Sequence, residues 1–216
     1  MMKNILYKEF KLAIHPSTYI FLLLSSMVLI PNYPYMVIFF YSILGVFFIS
    51  LNGRETKDIY YSMLLPIDRS ELVKSRILFV SLIETAQILL LVPFIIIKNI
   101  FIYSPNLAGL DANISLLAMG FLIYSIYNYV FFTNYYKNVN KVGYSFFIAS
   151  IFSTILMIII ESSTHIVPFV MNYIDTPDSI FLFGKLILLF ISIMIFCVAN
   201  IFTYRKSVKE FKNVDL

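Results

Sequence analysis

From Leu12 to Gly53 the chain runs for 42 residues without a single Asp, Glu, Lys or Arg. A soluble domain cannot hide that much uncharged chain and still coat itself in polar groups. With 60% hydrophobic and 13% charged residues, against about 45–50% and about 25% in soluble domains, a bilayer is the expected solvent. The run is interrupted by Pro31-Asn32-Tyr33-Pro34, the residue types that reverse a chain. Two crossings of about 30 Å at 1.5 Å per residue need about 40 residues. The stretch therefore predicts a helical hairpin with two spans, about 17–31 and 35–52, that are short or barely tilted.

The same reading places four further spans at about 77–97, 113–132, 142–160 and 179–203. The expected fold is all-α, a polytopic membrane protein of six transmembrane helices forming one domain over residues 1–216. No small-residue cleavage pattern follows the first apolar run, so that run is expected to stay as a helix. Fourteen of the sixteen Lys and Arg residues fall on one side of this map, and only Lys98 and Lys185 fall on the other. The positive-inside rule then puts both termini and the loop from Gly53 to Arg76 in the cytoplasm. The net charge of +4 serves this topology and gives no support to nucleic-acid binding. In Met2 to His15, Ile5, Leu6, Phe10, Leu12 and Ala13 interleave with Lys3, Lys8, Glu9 and Lys11. That pattern suits a helix over residues 1–16 lying on the membrane surface before Pro16 turns the chain inward.

Chemistry-bearing motifs are absent. There is no G-x-x-x-x-G-K-[ST] loop to cradle a phosphate, and no H-E-x-x-H or G-x-S-x-G. The chain is expected to hydrolyse no ATP and to hold no metal or cofactor of its own. Cys197 stands alone in an apolar run, which excludes an internal disulfide. Glu84 lies within the third span with Gln87 on nearly the same helical face. A carboxyl at that depth is costly and faces protein or water. Two readings stay open: Glu84 and Gln87 line a substrate route, or Glu84 pairs with Arg76 or Lys74 or hydrogen-bonds a neighbouring helix. Pro93, further along the same span, is a candidate kink. Glu161, His165 and the acidic, semi-apolar loop 161–178 are expected outside, its middle too short to span. Tyr124, Tyr127 and Tyr129 serve equally as packing groups, interface anchors or the lining of a greasy route. Asn113-Ile114-Ser115 matches a glycosylation triplet, too common a pattern to carry weight.

The inner loop from Gly53 to Arg76 carries more information. It holds a charged turn, an apolar stripe from Ile59 to Leu65 and a proline stop, and Asp68 and Glu71 stand at the spacing of a capping box before the third span. Its segment Leu64-Leu65-Pro66-Ile67-Asp68-Arg69-Ser70-Glu71-Leu72-Val73-Lys74-Ser75-Arg76 resembles the L-P-x-x-R-x-x-x-V-x-x-(K/R) segment of ABC-2 type transporter permeases. The resemblance extends to the interfacial helix, the six spans and the long outer loop before the last helix. It implies a coupling segment over residues 54–71 that docks on a separate cytosolic ATP-binding-cassette ATPase. Arg54 to Tyr61 (with Arg54, Glu55, Lys57, Asp58, Tyr60 and Tyr61) would form the docking helix, and Leu65, Pro66, Arg69, Val73 and Lys74 the motif behind it. It further implies two ATPase subunits carrying ATP and Mg2+, a second permease copy, identical or related, and a bacterial plasma membrane with its lipid. The size and the Ile/Phe/Tyr/Asn-rich composition resemble small Gram-positive permeases that export antimicrobial or amphipathic peptides, such as phenol-soluble modulins. An ion-gradient-driven transporter would need more intramembrane ionisable groups than Glu84 alone. A membrane adaptor without transport is the remaining alternative.

Overall fold

The structure, a computed structural model, describes residues 2–102 and 104–214. It is all-helical, with no strand among the described residues. Helix α1, Met2–Lys8, continues as a wider π turn over Glu9–Ala13. The axis then bends by 84° into α2, Pro16–Leu23, whose start is fixed by Pro16 and by His15, the side chain of which accepts from Ser17 N. A tighter 3-10 coil, Leu24–Leu29, extends it. Together these cover about 24 Å, less than a hydrocarbon core of about 30 Å. The turn at Pro31–Pro34 reverses the chain with Asn32 in the left-handed region, φ 54°, a conformation asparagine tolerates.

Among the described residues five helices are long and apolar enough to cross a membrane, or six if the bent pair is one crossing. They are α3 (Met36–Glu55), α5 (Arg69–Phe101), α6 (Ile114–Tyr135), α7 (Val142–Ile166) and α8 (Leu182–Lys212), with the six-residue α4, Asp58–Met63, between the first two. Helix α6 is the hub of the bundle: its most apolar window is 67% buried, against 17% in α8. Its Phe131 shares one core with Phe39 and Ile43 of α3, Ile83 and Ile88 of α5, and Phe196 of α8. Gly120 is needed where α3 crosses α6, because a Cβ built there would run into the Phe39 ring. Residues 2–13 and 205–214 share one end, below called the basal end, since Lys8 reaches Asp58 and Arg69 reaches Phe211.

Within segment 54–71 the helix expected over Arg54–Tyr61 is divided. Helix α3 keeps Arg54 and Glu55, the chain breaks at Thr56 and Lys57, and Lys57 takes φ 53°. The short helix is therefore Asp58–Met63 rather than Arg54–Tyr61. Asp68 sits at the start of α5 as expected, but its side chain makes no capping bond. Glu71 N instead donates to the Asp68 backbone carbonyl at 3.0 Å, and the Glu71 side chain makes no bond back to Asp68, so the expected capping box is not formed.

Candidate functional site

Four charged side chains meet at the basal end. Arg76 of α5 is 4% exposed. Its Nε lies 2.9 Å from Glu9 Oε2, and its Nη2 donates to Asp58 Oδ2 at 2.6 Å. Lys8 Nζ donates to Asp58 Oδ1 at 2.6 Å and to Ser62 Oγ at 2.7 Å, with Glu9 Oε1 at 3.9 Å. Two cations and two anions thus balance within one partly dry cluster. Burial pushes the Asp58 carboxyl up, but Arg76 and Lys8 outweigh it and hold it below the usual carboxylate range. The cluster joins the surface helix α1, the short helix α4 and the foot of α5. Gly53 of α3 lies beside it, since a Cβ there would stand 3.7 Å from Arg76 Nη1. Tyr136 and Phe211, with ring centroids 5.2 Å apart, close it on the α6 and α8 side.

Beside this cluster opens a groove of about 620 Å³. One wall is Arg54, Lys57, Tyr60 and Tyr61; the other is the α6–α7 turn with Lys137 and Asn140; and Asn213 and Val214 close one side. Tyr60 and Tyr61 are 49% and 60% exposed and meet edge to face. Two neighbouring aromatic rings held in water at the rim of a groove are poor solutes and good anchors for a partner.

The residues named from the sequence separate into three groups here. Tyr60, Tyr61, Leu65, Pro66 and Lys57 face solvent. Arg54 and Glu55 are exposed too, but pair with each other at 2.5 Å, a surface bond of little energetic worth. Asp58 and Arg69 turn inward: Asp58 into the charged cluster, and Arg69 across to the end of α8. There Arg69 Nη1 donates to the carbonyls of Phe211, Lys212 and Val214 at 2.8, 3.1 and 2.9 Å. It satisfies orphan carbonyls that the helix end would otherwise leave bare. Sequence reasoning missed Lys8, Glu9 and Arg76 as a unit. The available signal was Glu9, the lone acid among Lys3, Lys8 and Lys11 on a surface helix.

Glu84 is fully buried and accepts from Asn128 Nδ2 of α6 at 2.7 Å, and the same amide approaches Asn200 Oδ1 of α8 at 3.3 Å. Gln87 instead donates to the Ile38 carbonyl of α3 at 3.0 Å. Glu84 therefore bonds a neighbouring helix, and Arg76 spends its donors on Glu9 and Asp58. Asn128 and Asn200, each isolated in an apolar run, were the overlooked partners. Glu84→Gln keeps an acceptor for Asn128 and is expected to leave folded yield unchanged. Glu84→Leu leaves that amide only the longer contact to Asn200 and should lower the thermal midpoint of detergent-solubilised protein by an amount worth about 1 kcal/mol.

At the opposite end, residues 105–114 and 174–185 form a pinned cap. Asn113 is buried, starts α6 by accepting from Leu116 N, and donates to the Ile174 and Thr176 carbonyls. Its amide is thus engaged rather than offered for glycosylation. Glu161 receives Leu110 N at 3.0 Å, and buried Lys185 donates to the Thr176 and Pro177 carbonyls. Asp175 receives Asp111 N at 2.6 Å. Burial is the main reason its carboxyl is pushed up to about 6, and the Asp111 carboxylate adds to it. The folded cap therefore holds this proton more tightly than the unfolded chain does. Its contribution is full below about pH 4 and is lost as pH rises through about 6. Amide exchange of residues 111–116, corrected for intrinsic rates, should accelerate across that window, and Asp175→Asn should abolish the change.

The described residues, all-helical with five or six apolar helices and a charged, groove-bearing face at one end, define the class: a multi-pass membrane protein. A family model described as ABC-2 family transporter protein matches residues 4–212, and the chain belongs to that family. It is accordingly a permease component of an ABC-type transporter, with ATP hydrolysis assigned to an associated ATP-binding-cassette partner. No curated protein and no solved structure gives a significant match.

Proposed function

We propose that this permease exports an amphipathic or hydrophobic substrate of the peptide class, with six crossings, both termini in the cytoplasm, and a second permease copy completing the pathway. ATP and Mg2+ would bind on two cytosolic ATPase subunits seated at the basal groove. The observation that carries this reading is the joining of the groove to the charged cluster. Tyr60 and Tyr61 offer a partner two aromatic anchors, and the same short helix is tied through Asp58 to α1 and α5. A partner that displaces α4 thereby pulls on two other elements. Substrate class rests on the resemblance to small peptide exporters and on the apolar bundle; Glu84 and Gln87 are the residues proposed to face the route in a transporting state.

Topology gives a direct test. With Cys197 replaced by Ala, single cysteines at Thr56 and Asn213, both exposed, should resist an impermeant thiol reagent in intact cells and react after lysis. One at Ser179, exposed at the other end, should react in intact cells. Labelling of Thr56→Cys without lysis would invert the map. The partner is tested by pull-down: the intact chain should retain an ATP-binding-cassette ATPase encoded beside it, and Tyr60→Ala with Tyr61→Ala should lose it.

A further inference from the structure

We infer that the basal half of α8, together with Tyr129 of α6, forms a binding site for the headgroup of an anionic phospholipid. Between Lys185 and Arg205 the helix carries nineteen residues without a charge, about 28 Å, so Arg205 falls where hydrocarbon gives way to headgroups. The exposed face of that stretch, Ile191, Met194, Ile195, Val198 and Phe202, recurs at three- and four-residue intervals and presents a continuous apolar stripe to acyl chains. The stripe ends on Arg205, Lys206 and Lys209, which share one face and are all exposed. Among the described residues none of the three comes within 4.0 Å of a carboxylate, Glu210 included.

These cations line an open groove of about 550 Å³ with Tyr129, Ala199 and Phe202. Lys206 is positioned within it. Its Nζ donates to Tyr129 Oη at 3.1 Å and lies 4.8 Å from the centre of that ring. An ammonium has three donors, so this contact orients Lys206 and leaves two for an anion. Three cations at headgroup depth with no carboxylate partner among the described residues, directly below an apolar stripe, complement a ligand with a negative head and a greasy tail, and basic pockets between spans are suited to anionic lipid. A zwitterionic lipid brings its own cation and gains less.

The chain has no tryptophan, so one introduced reporter reads one place. Phe202→Trp, in the full chain reconstituted into vesicles, should be quenched at about five- to tenfold lower mole fraction of brominated phosphatidylglycerol than of brominated phosphatidylcholine. Phe152→Trp on exposed α7 should show a ratio near one. Joint replacement of Arg205, Lys206 and Lys209 by Gln should bring the Phe202→Trp ratio to one. Should that variant fail to fold, 1 M NaCl on the parental reporter supplies the same test, because screening at about 3 Å removes headgroup attraction. Both leaflets carry each lipid, so the outcome is independent of topology. Equal quenching by the two lipids at Phe202→Trp, or a preference that survives charge removal or salt, would overturn the site. Loss of quenching by both lipids on adding the ATPase would assign this face to the ATPase instead.

Discussion

Replacing Arg76 by leucine is expected to cost about 3–5 kcal/mol of stability and to sever transport from ATP hydrolysis. The side chain spans two carboxylates with one planar fork, Glu9 through Nε and Asp58 through Nη2, which a lysine's point charge cannot reproduce. With leucine present, Glu9 and Asp58 face only Lys8 in a site of low exposure, and an uncompensated buried charge is what makes such a deletion costly. Adding Glu9→Leu should recover most of the lost stability by leaving Lys8 and Asp58 as a neutral pair. The tie between α1 and α5 would still be missing, so transport should remain impaired. The measurements are the thermal midpoint in detergent and substrate flux per ATP hydrolysed in the reconstituted complex. A single variant with parental midpoint and flux would show that the cluster is incidental; a double variant no more stable than the single would place the loss elsewhere than in charge imbalance.

The second large effect is expected from proline in the short helix. At Ile59, the second residue of α4, proline removes no intrahelical bond, since N–H groups of a first turn have no partner within the helix. At Tyr61 it deletes the bond from Tyr61 N to the Lys57 carbonyl, 3.0 Å long, and its ring meets that carbonyl, at a cost of about 3 kcal/mol. Helix α4 has only six residues, so little of it survives. Tyr61→Ala separates the ring from the backbone: it should weaken ATPase association by about tenfold or more, as loss of an anchor does, yet transport normally once the ATPase is in excess. Tyr61→Pro should bind weakly and also fail to transport at saturating ATPase. If excess ATPase restores transport in both, α4 is a docking surface only and transmits nothing.

Hydropathy made the long crossings legible, because a bilayer demands about twenty apolar residues wherever a helix passes. The chain reversal at Pro31–Pro34 was legible as well, from the turn-forming residues that interrupt the run between Leu12 and Gly53. The break at Lys57 was not, since nothing in Arg-Glu-Thr-Lys-Asp marks a lysine for the left-handed region, and the tertiary pull of Arg76 and Lys8 on Asp58 sets where α4 begins. Asp58 and Arg69 were legible as members of a motif and illegible as to direction. Their partners lie 50 and 142 residues away, and no local pattern encodes a distant ion pair. Glu84 was recognisable as a group that must find a partner; that the partner is Asn128 depends on how α6 is rotated against α5.

Helix α5 runs unbroken for 33 residues, about 50 Å, from its foot in the charged cluster to Phe101 beside the distal cap. Under the proposed docking at the basal groove it acts as a lever driven from its foot. A tilt of roughly 10° about that foot would sweep the far tip through about 9 Å for a rod of this length. Pro93, eight residues from the tip, decides how faithfully that sweep arrives, because a proline weakens the rod where it removes a backbone bond. Small displacements of a six-residue helix can in this way be magnified into movements of several ångströms at the opposite end of the bundle.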